Sequence, residues 1–224
     1  FLIDATSSMG DYMATARQVV TSLVKTLDEQ MPGCVLNLLA VLYRDPLEGK
    51  EGALENSHVT FMTSDEKVFR EKLNNQRAMG GGDVAEDVAG GFELLNNAIQ
   101  DLDKNQLLRV FHILDAPAHG FCDGLHSDYH DTNEQRERLR QAINAFTGLM
   151  QQFQEPEYHY FGVSTIDSLE AFKTNMRNMI ASNLPHGSDI YRIFKWCNPT
   201  QDFSGTLAAS TFASVTATSK LPDL

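Results

Sequence analysis

The chain has 224 residues, and its 30 acidic side chains outnumber the 18 basic ones to give a formal net charge of −12. This acidic balance argues against non-specific binding to nucleic acid and is compatible with a cation site or a basic partner. Apolar residues make up 42% of the sequence, as in globular proteins, and no apolar stretch is long enough to span a bilayer. The three widely separated cysteines do not form a disulfide framework, and they favour a reducing compartment such as the cytoplasm.

The length predicts one domain over residues 1–220, followed by a short tail at residues 221–224. Because the sequence opens inside an apolar run, we expect residues of the first strand to be missing upstream.

Short apolar runs alternate with stretches of helical periodicity along the chain. The predicted elements, in chain order, are a strand ending at Asp4, a helix at 12–30, a buried strand at 34–43, an edge strand at 58–62, a helix opening at 63–66 and running to about 74, a helix at 88–99, a strand at 107–114, a helix at 133–153, a strand at 158–163, a helix at 168–180, a strand at 190–196 and a helix at 206–217. This alternation predicts an α/β fold: a doubly wound, mostly parallel central sheet flanked by helices, with one short antiparallel edge strand.

Acidic loops follow the predicted strands at what should be one edge of the sheet. The first apolar run ends at Asp4, and hydroxyl residues follow at Thr6 and Ser8. A later apolar strand ends at Asp115, and the run of glycines at 80–82 precedes three acids within residues 83–87. Because ligands of such folds bind beyond the carboxyl ends of the strands, we expect these loops to converge. An alternative is that Thr6 or Ser8 only caps the following helix.

Carboxylates gathered at one point repel each other, and a divalent cation removes that conflict. Carboxylate and hydroxyl oxygens are the ligands that Mg²⁺, Mn²⁺ or Ca²⁺ prefers, with water at the remaining positions. The sequence therefore predicts a cation held by Asp4, Thr6, Ser8, an acid of the glycine loop and Asp115. A partner protein with an acidic side chain could supply the last ligand, which gives binding without bond breaking.

The spacing of Asp4, Thr6 and Ser8 resembles the D-x-[ST]-x-S signature of the metal-ion-dependent adhesion site in von Willebrand factor A domains. The glycine loop G-G-G-D-x-x-E-D and the later D-A-P-x-H-G resemble most closely the subgroup found beside atypical alpha-kinases and in hemicentin-like proteins, and they are also similar to integrin beta subunits. The resemblance covers the whole chain and implies a non-enzymatic adhesion or interaction domain.

Carried over to this sequence, the resemblance implies the following site residues. First-loop ligands would be Asp4, Thr6 and Ser8, the second-loop ligand would be Asp83 or Glu86, the third-loop ligand would be Asp115, an adjacent site could involve Asp11, and partner contacts could involve His119 and Gly82. Tyr12 replaces the second aspartate of the integrin adjacent-metal pair, so Asp11 could instead be an acid in the first turn of a helix.

Three alternatives stay open from the sequence. A metal-assisted hydrolase could use the same carboxylates, with His119 as the general base. The domain could also be a scaffold with a vestigial site inside a larger, kinase-like protein. Finally, His119, Cys122, His126 and His130 could bind zinc, although their spacing is not a standard one.

Overall fold

A six-stranded sheet organises the part of the chain that the computed structural model describes, namely residues 1–30, 35–45, 58–122, 128, 131–164 and 166–197. The elements are β1 (Leu2–Asp4), a 3₁₀ turn (Ser7–Met9), α1 (Gly10–Gln30), β2 (Leu38–Tyr43), β3 (Val59–Thr63), α2 (Glu66–Asn74), α3 (Val88–Ile99), β4 (Leu107–Leu114), α4 (Asn133–Met150), β5 (Gln154–Gly162), α5 (Asp167–Ser182), α6 (Ile190–Ile193) and β6 (Phe194–Cys197). The strand order is β3-β2-β1-β4-β5-β6, and only the β2–β3 pairing is antiparallel. The predicted α/β class, mostly parallel sheet and antiparallel edge strand are confirmed.

Helices cover both faces of this sheet, because consecutive residues of each strand point to opposite sides. Leu2 packs with α3, α4 and α5 on one face, whereas Ile3 packs with α1 and α2 on the other. Both residues are at most 1% exposed. The central strand β1 is therefore buried on both faces, which fixes the position of the loop that follows it. Among the described residues, no helix has the length and apolar character needed to cross a bilayer.

The predicted elements agree best with the observed ones where the apolar pattern of the sequence is strong. The predicted helix at 88–99 and strand at 107–114 have the observed bounds, and β5 begins earlier than predicted, at Gln154. The predicted strand at 190–196 is wrong in its first half. Asp189 accepts a hydrogen bond from the Tyr191 amide, which caps the short helix α6 before the strand β6 begins. The predicted helix at 206–217 and the tail at 221–224 lie outside the described residues, and the single-domain prediction stays a prediction.

A fully buried histidine joins two tyrosines inside the core. The ring nitrogens of His112 lie 3.0 Å from the Tyr43 hydroxyl and 2.5 Å from the Tyr158 hydroxyl. Burial lowers the pKa of His112 to about 3. The imidazole is therefore neutral in the folded protein at physiological pH, with one nitrogen donating and the other accepting.

We expect the buried His112 to make the protein acid-sensitive. Its pKa is lower in the folded than in the unfolded chain, so the unfolded chain binds the proton first as the pH falls. The free energy of unfolding should drop by up to about 1.4 kcal/mol per pH unit between about pH 6.5 and pH 3 from this group. Urea unfolding at pH 7, 6, 5 and 4 checks this slope. A His112→Gln variant should have a shallower slope, and an equal slope would contradict the assignment.

Candidate metal centre

The carboxyl ends of two neighbouring strands, β1 and β4, bring the first and third acidic loops together. Leu2 and Ile3 of β1 pair with His112 and Ile113 of β4, so Asp4 and Asp115 leave adjacent strands at the same edge. Asp4 is fully buried and Asp115 is 8% exposed. The predicted convergence of these two carboxylates is therefore present in the structure.

The turn after β1 is held by the Asp4 side chain. The backbone amide and the hydroxyl of Thr6 both donate to Asp4 Oδ1, at 2.9 and 2.7 Å, and the Thr6 and Ser8 hydroxyl oxygens lie 3.2 Å apart. Thr6 precedes the 3₁₀ turn but makes no capping hydrogen bond through its side chain. The capping alternative is therefore wrong for Thr6, whose hydroxyl points to the carboxylate instead.

The glycine loop packs directly on this turn. Gly80 has φ +91°, and its carbonyl oxygen accepts hydrogen bonds from the Ser7 amide and from the Ser7 hydroxyl, at 3.2 and 2.7 Å. A Cβ atom on Gly80 would lie 2.5 Å from the backbone oxygen of Asp45. Both the backbone conformation and this close approach require glycine here.

Replacing Gly80 by alanine should therefore destabilise the protein. The left-handed conformation alone costs about 1–3 kcal/mol for a residue with a side chain, and the overlap with the Asp45 carbonyl adds to it. A Gly148→Ala variant is the matched control, because Gly148 lies in α4 with open space around its Cβ position. That control should gain up to about 1 kcal/mol. Chemical denaturation measures both, and equal stabilities would contradict the role of Gly80.

Glu86 is the acid of the glycine loop that reaches the first loop. Its backbone amide donates to the Pro117 carbonyl at 3.0 Å, and its carbonyl accepts from the His119 amide at 3.3 Å, which fastens it to the third loop. Glu86 is 2% exposed and lies beside Thr6, whose hydroxyl acts to lower the pKa of the Glu86 carboxyl group. Asp4, Thr6, Ser8, Glu86 and Asp115, which we call the primary cluster, are therefore brought together by three separate loops.

Negative charge is crowded in the primary cluster. Burial, and then the neighbouring carboxylates, raise the pKa values of Asp4 and Glu86 well above their usual range. Burial also raises the pKa of Asp115, against a hydrogen bond from Ser8 that lowers it. Carboxyl groups so arranged resist ionisation together unless a positive charge lies between them.

Three oxygen atoms of the primary cluster indicate whether a cation fits between its side chains. Asp4 Oδ2, Glu86 Oε2 and Asp115 Oδ1 are buried and have no hydrogen-bond partner. Buried carboxylate oxygens without partners are costly and rare. The atoms come from all three loops, and together with the Thr6 and Ser8 hydroxyls they form a donor set of hard oxygens. These residues fit a divalent cation such as Mg²⁺.

The comparisons with known proteins agree with this architecture. A family model described as von Willebrand factor A domain matches residues 1–123, which is more than half of the chain. The chain belongs to the von Willebrand factor A domain family. No curated protein sequence matches it.

Solved structures with the A-domain fold cover 96% of the chain at low sequence identity. The pilus adhesin SpaC of Lactobacillus rhamnosus GG, in its open conformation, aligns with a TM-score of 0.63 and 10% identity over 29% of its own length. A von Willebrand factor type A protein from Catenulispora acidiphila gives 0.53 and 15% over 40% of its length, and a variant of the PilB minor pilin from Streptococcus sanguinis gives 0.58 and 11% over 59%. The chain thus spans less than two thirds of each neighbour, and these likenesses show the fold.

The other predicted site residues of this A domain lie around the primary cluster. Asp83 has a carboxylate oxygen within 4.8 Å of a ligand atom of His119 and of one of Asp128. Asp11 is exposed in the first turn of α1, and Gly82 is exposed on the glycine loop. His119, expected to contact a partner, is only 5% exposed.

Sequence reasoning missed the role of Asp45. Its carboxylate oxygen lies 2.7 Å from His119 Nε2, and Asp128 Oδ1 lies 2.9 Å from His119 Nδ1. Asp45 follows the apolar strand β2 much as Asp115 follows β4, and Asp4 ends β1, so the same signal was present in the sequence. No signal marked Asp128, which is one of several acids in a polar stretch.

The first turn of α3 is fixed by another ion-pair network. Asp87 caps α3 by accepting from the Gly90 amide at 2.9 Å, and Arg138 of α4 donates to the same carboxylate oxygen at 2.9 Å. Burial acts to raise the pKa of Asp87, but His58, Arg138 and Gly90 together lower it to about 2. Asp87 is thus ionised, and its hydrogen bonds fix the start of α3, the helix that follows Glu86.

Proposed function

We propose that this A domain is a divalent-cation-dependent protein-binding domain, with Mg²⁺, or Mn²⁺ or Ca²⁺ in its place, held by Asp4, Thr6, Ser8, Glu86 and Asp115. The three buried carboxylate oxygens without partners carry this proposal, because a cation is the group that satisfies all of them at once. The preference for Glu86 over Asp83 rests on its contact with Thr6.

The cation supplies an electrophilic point to which an oxygen of another molecule can bind. Ser8 is exposed, as is Gly82 at the rim, so one side of the primary cluster faces solvent. A carboxylate from a partner protein is a hard oxygen ligand with the charge needed to balance the cation. We therefore propose an acidic side chain of the partner as the completing ligand.

Binding is favoured over metal-assisted hydrolysis by the state of His119. Burial acts to lower the pKa of His119, but the hydrogen bonds and charges of Asp45 and Asp128 raise it to about 9. A protonated imidazole whose two nitrogens lie against carboxylates has no lone pair with which to accept a proton. His119 therefore cannot act as the general base that the hydrolase alternative requires. The three buried carboxylate oxygens without partners argue against the other alternative, a scaffold domain with a vestigial site.

The setting of the domain is part of this proposal. We propose that it is carried within a larger protein, resembling the A domains found beside alpha-kinases or in hemicentin-like chains, and that it acts in a reducing compartment. The three separated cysteines support this setting. Interaction with other proteins is supported by the family and by neighbours that include a pilus adhesin and a minor pilin.

Titration with Mn²⁺ tests the proposal. We expect one Mn²⁺ per chain by calorimetry, loss of binding in Asp115→Ala, and retained binding in Asp11→Ala, because Asp11 is an exposed acid outside the primary cluster. Water proton relaxation by the bound Mn²⁺ should fall when an aspartate-containing peptide replaces a metal-bound water, and it should not change with the matching asparagine peptide. Folded protein that binds no Mn²⁺ would refute the cation site. Bound Mn²⁺ that is indifferent to the peptide would refute the acidic ligand alone.

A further inference from the structure

A second group of metal-binding side chains lies beside the primary cluster. Each of Asp83, His119 and Asp128 offers one ligand atom, and these three atoms lie within 4.8 Å of one another. We call these three residues the lateral cluster. They come from the glycine loop, from the loop after β4 and from the polar stretch beyond it, so the fold, and not local sequence, assembles them.

The hydrogen bond between His119 and Asp128 holds two donor atoms at a separation that two ligands of one metal ion can also have. His119 Nδ1 lies 2.9 Å from Asp128 Oδ1. With bonds of about 2.05 Å, neighbouring ligands are about 2.9 Å apart in an octahedral site and about 3.3 Å apart in a tetrahedral one. Asp128 Oδ2 accepts a hydrogen bond from the Gly120 amide at 2.6 Å, which orients this carboxylate towards the imidazole. Only the half-buried Asp83 side chain needs to move closer.

Asp45 provides the support that histidine ligands usually have. Its Oδ1 lies 2.7 Å from His119 Nε2, and the two side chains are 2% and 6% exposed. A histidine that binds a metal almost always donates its other ring N–H to a carboxylate or carbonyl group, which fixes the ring and its tautomer. Once a metal ion has displaced the proton from Nδ1, the remaining proton lies on Nε2 and is shared with Asp45, and the lone pair of Nδ1 is directed at the side occupied by Asp128.

The charge of the surroundings also favours a cation. Asp45, Asp83 and Asp128 bring three carboxylates to a single imidazole, and the carboxylates of the primary cluster lie close by. A divalent ion in place of the imidazole proton would add one further positive charge to this acidic region.

We propose that the lateral cluster is a second metal site, in which His119 Nδ1 and one carboxylate oxygen each of Asp83 and Asp128 bind a transition-metal ion of the Zn²⁺ type, with water completing the shell. One nitrogen and two oxygen ligands suit Zn²⁺ better than Mg²⁺, which prefers oxygen alone. Binding transfers one proton from His119 to solvent, so the imidazole enters the site in its neutral form. This site is distinct from the oxygen-only primary cluster and does not depend on it.

Co²⁺ is the probe for this site, because it replaces Zn²⁺ and absorbs visible light. The experiment uses the whole chain with Mg²⁺ in excess and, in parallel, the Asp4→Asn variant, which lacks a ligand of the primary cluster. We expect one Co²⁺ per chain in both proteins, and displacement of the Co²⁺ absorption by one equivalent of Zn²⁺. The absorption should be lost in Asp128→Asn and in His119→Gln. It should be retained in Glu134→Gln, where an exposed acid at the start of α4 is changed.

Circular dichroism establishes that each variant is folded, and Asp83→Asn serves as a second ligand variant if His119→Gln does not fold. Folded wild-type protein without Co²⁺ absorption would overturn the proposal and leave His119 as a protonated link between two carboxylates. Absorption that survives Asp128→Asn but disappears in Asp4→Asn would place the ion in the primary cluster, which also overturns it. Loss of Mn²⁺ binding in Asp115→Ala with Co²⁺ absorption intact would support both sites separately.

Discussion

Asp4→Asn is expected to make the metal-free protein more stable while abolishing its response to Mg²⁺. Asparagine keeps an oxygen for the two hydrogen bonds from Thr6 and places an amide group where Asp4 Oδ2 has no partner. It also removes a carboxyl group whose ionisation is opposed by burial and then by the charge of Asp115, which raise its pKa to about 8. Since each unit of pKa shift corresponds to about 1.4 kcal/mol, the gain in the free energy of unfolding at pH 7 should be at least about 2 kcal/mol.

Thermal unfolding with and without Mg²⁺ measures both halves of this prediction. Wild-type protein should gain about 2.7 kcal/mol at a Mg²⁺ concentration of 100 times the dissociation constant, and the variant should gain nothing. The exposed Asp11 provides the control, because Asp11→Asn should change neither the metal-free stability nor the Mg²⁺ response. A metal-free Asp4→Asn protein that is less stable than wild type would show that the Asp4 charge is compensated in the absence of a cation.

Glu86→Gln is expected to weaken Mg²⁺ binding strongly, whereas Asp83→Asn leaves it nearly unchanged. Glu86 contacts Thr6 and has a partnerless buried oxygen, whereas Asp83 lies with His119 and Asp128. The loss for Glu86→Gln should be at least the roughly 10- to 100-fold that removal of a supporting group costs a metal site. Calorimetric titration of both variants with Mg²⁺ decides between the two acids.

The pair is well matched, because both substitutions replace one carboxyl group of the same loop by an amide of the same size. An equal loss in both variants would mean that long-range charge, and not ligation, governs affinity. A larger loss in Asp83→Asn would reverse the assignment of the second-loop ligand. Under the second-site proposal, Asp83→Asn should instead reduce Co²⁺ binding.

Strand ends were the part of the site that the sequence could predict. Asp4 and Asp115 each follow an uninterrupted apolar run, and parallel neighbouring strands necessarily present such residues at one edge. The choice between Asp83 and Glu86 was not predictable in this way. It depends on the path of the glycine loop, which is set by hydrogen bonds to Ser7, Asp45 and Pro117, all distant in sequence.

The position of His119 shows the same limit more sharply. From its place after β4, an exposed partner-contacting role was a reasonable prediction, but the side chain is buried between Asp45 and Asp128. Asp45 is 74 positions away in the chain, so no local pattern reports this contact. Likewise, the capping of α6 by Asp189 competes with an apolar alternation that is typical of a strand. The sequence thus predicts the backbone elements better than it predicts which side chains the polar residues contact.

The hydrogen bonds between Ser7 and Gly80 have a kinetic consequence. They join loops that are 73 positions apart, and the site also needs Asp115 from a third, later stretch. Chain segments so far apart come together only after much of the sheet has paired, since closing long loops is slow and entropically costly. The ligands of the ion are therefore not yet assembled early in folding. The ion should lengthen the lifetime of the native state by slowing unfolding, and leave the rate of refolding almost unaltered.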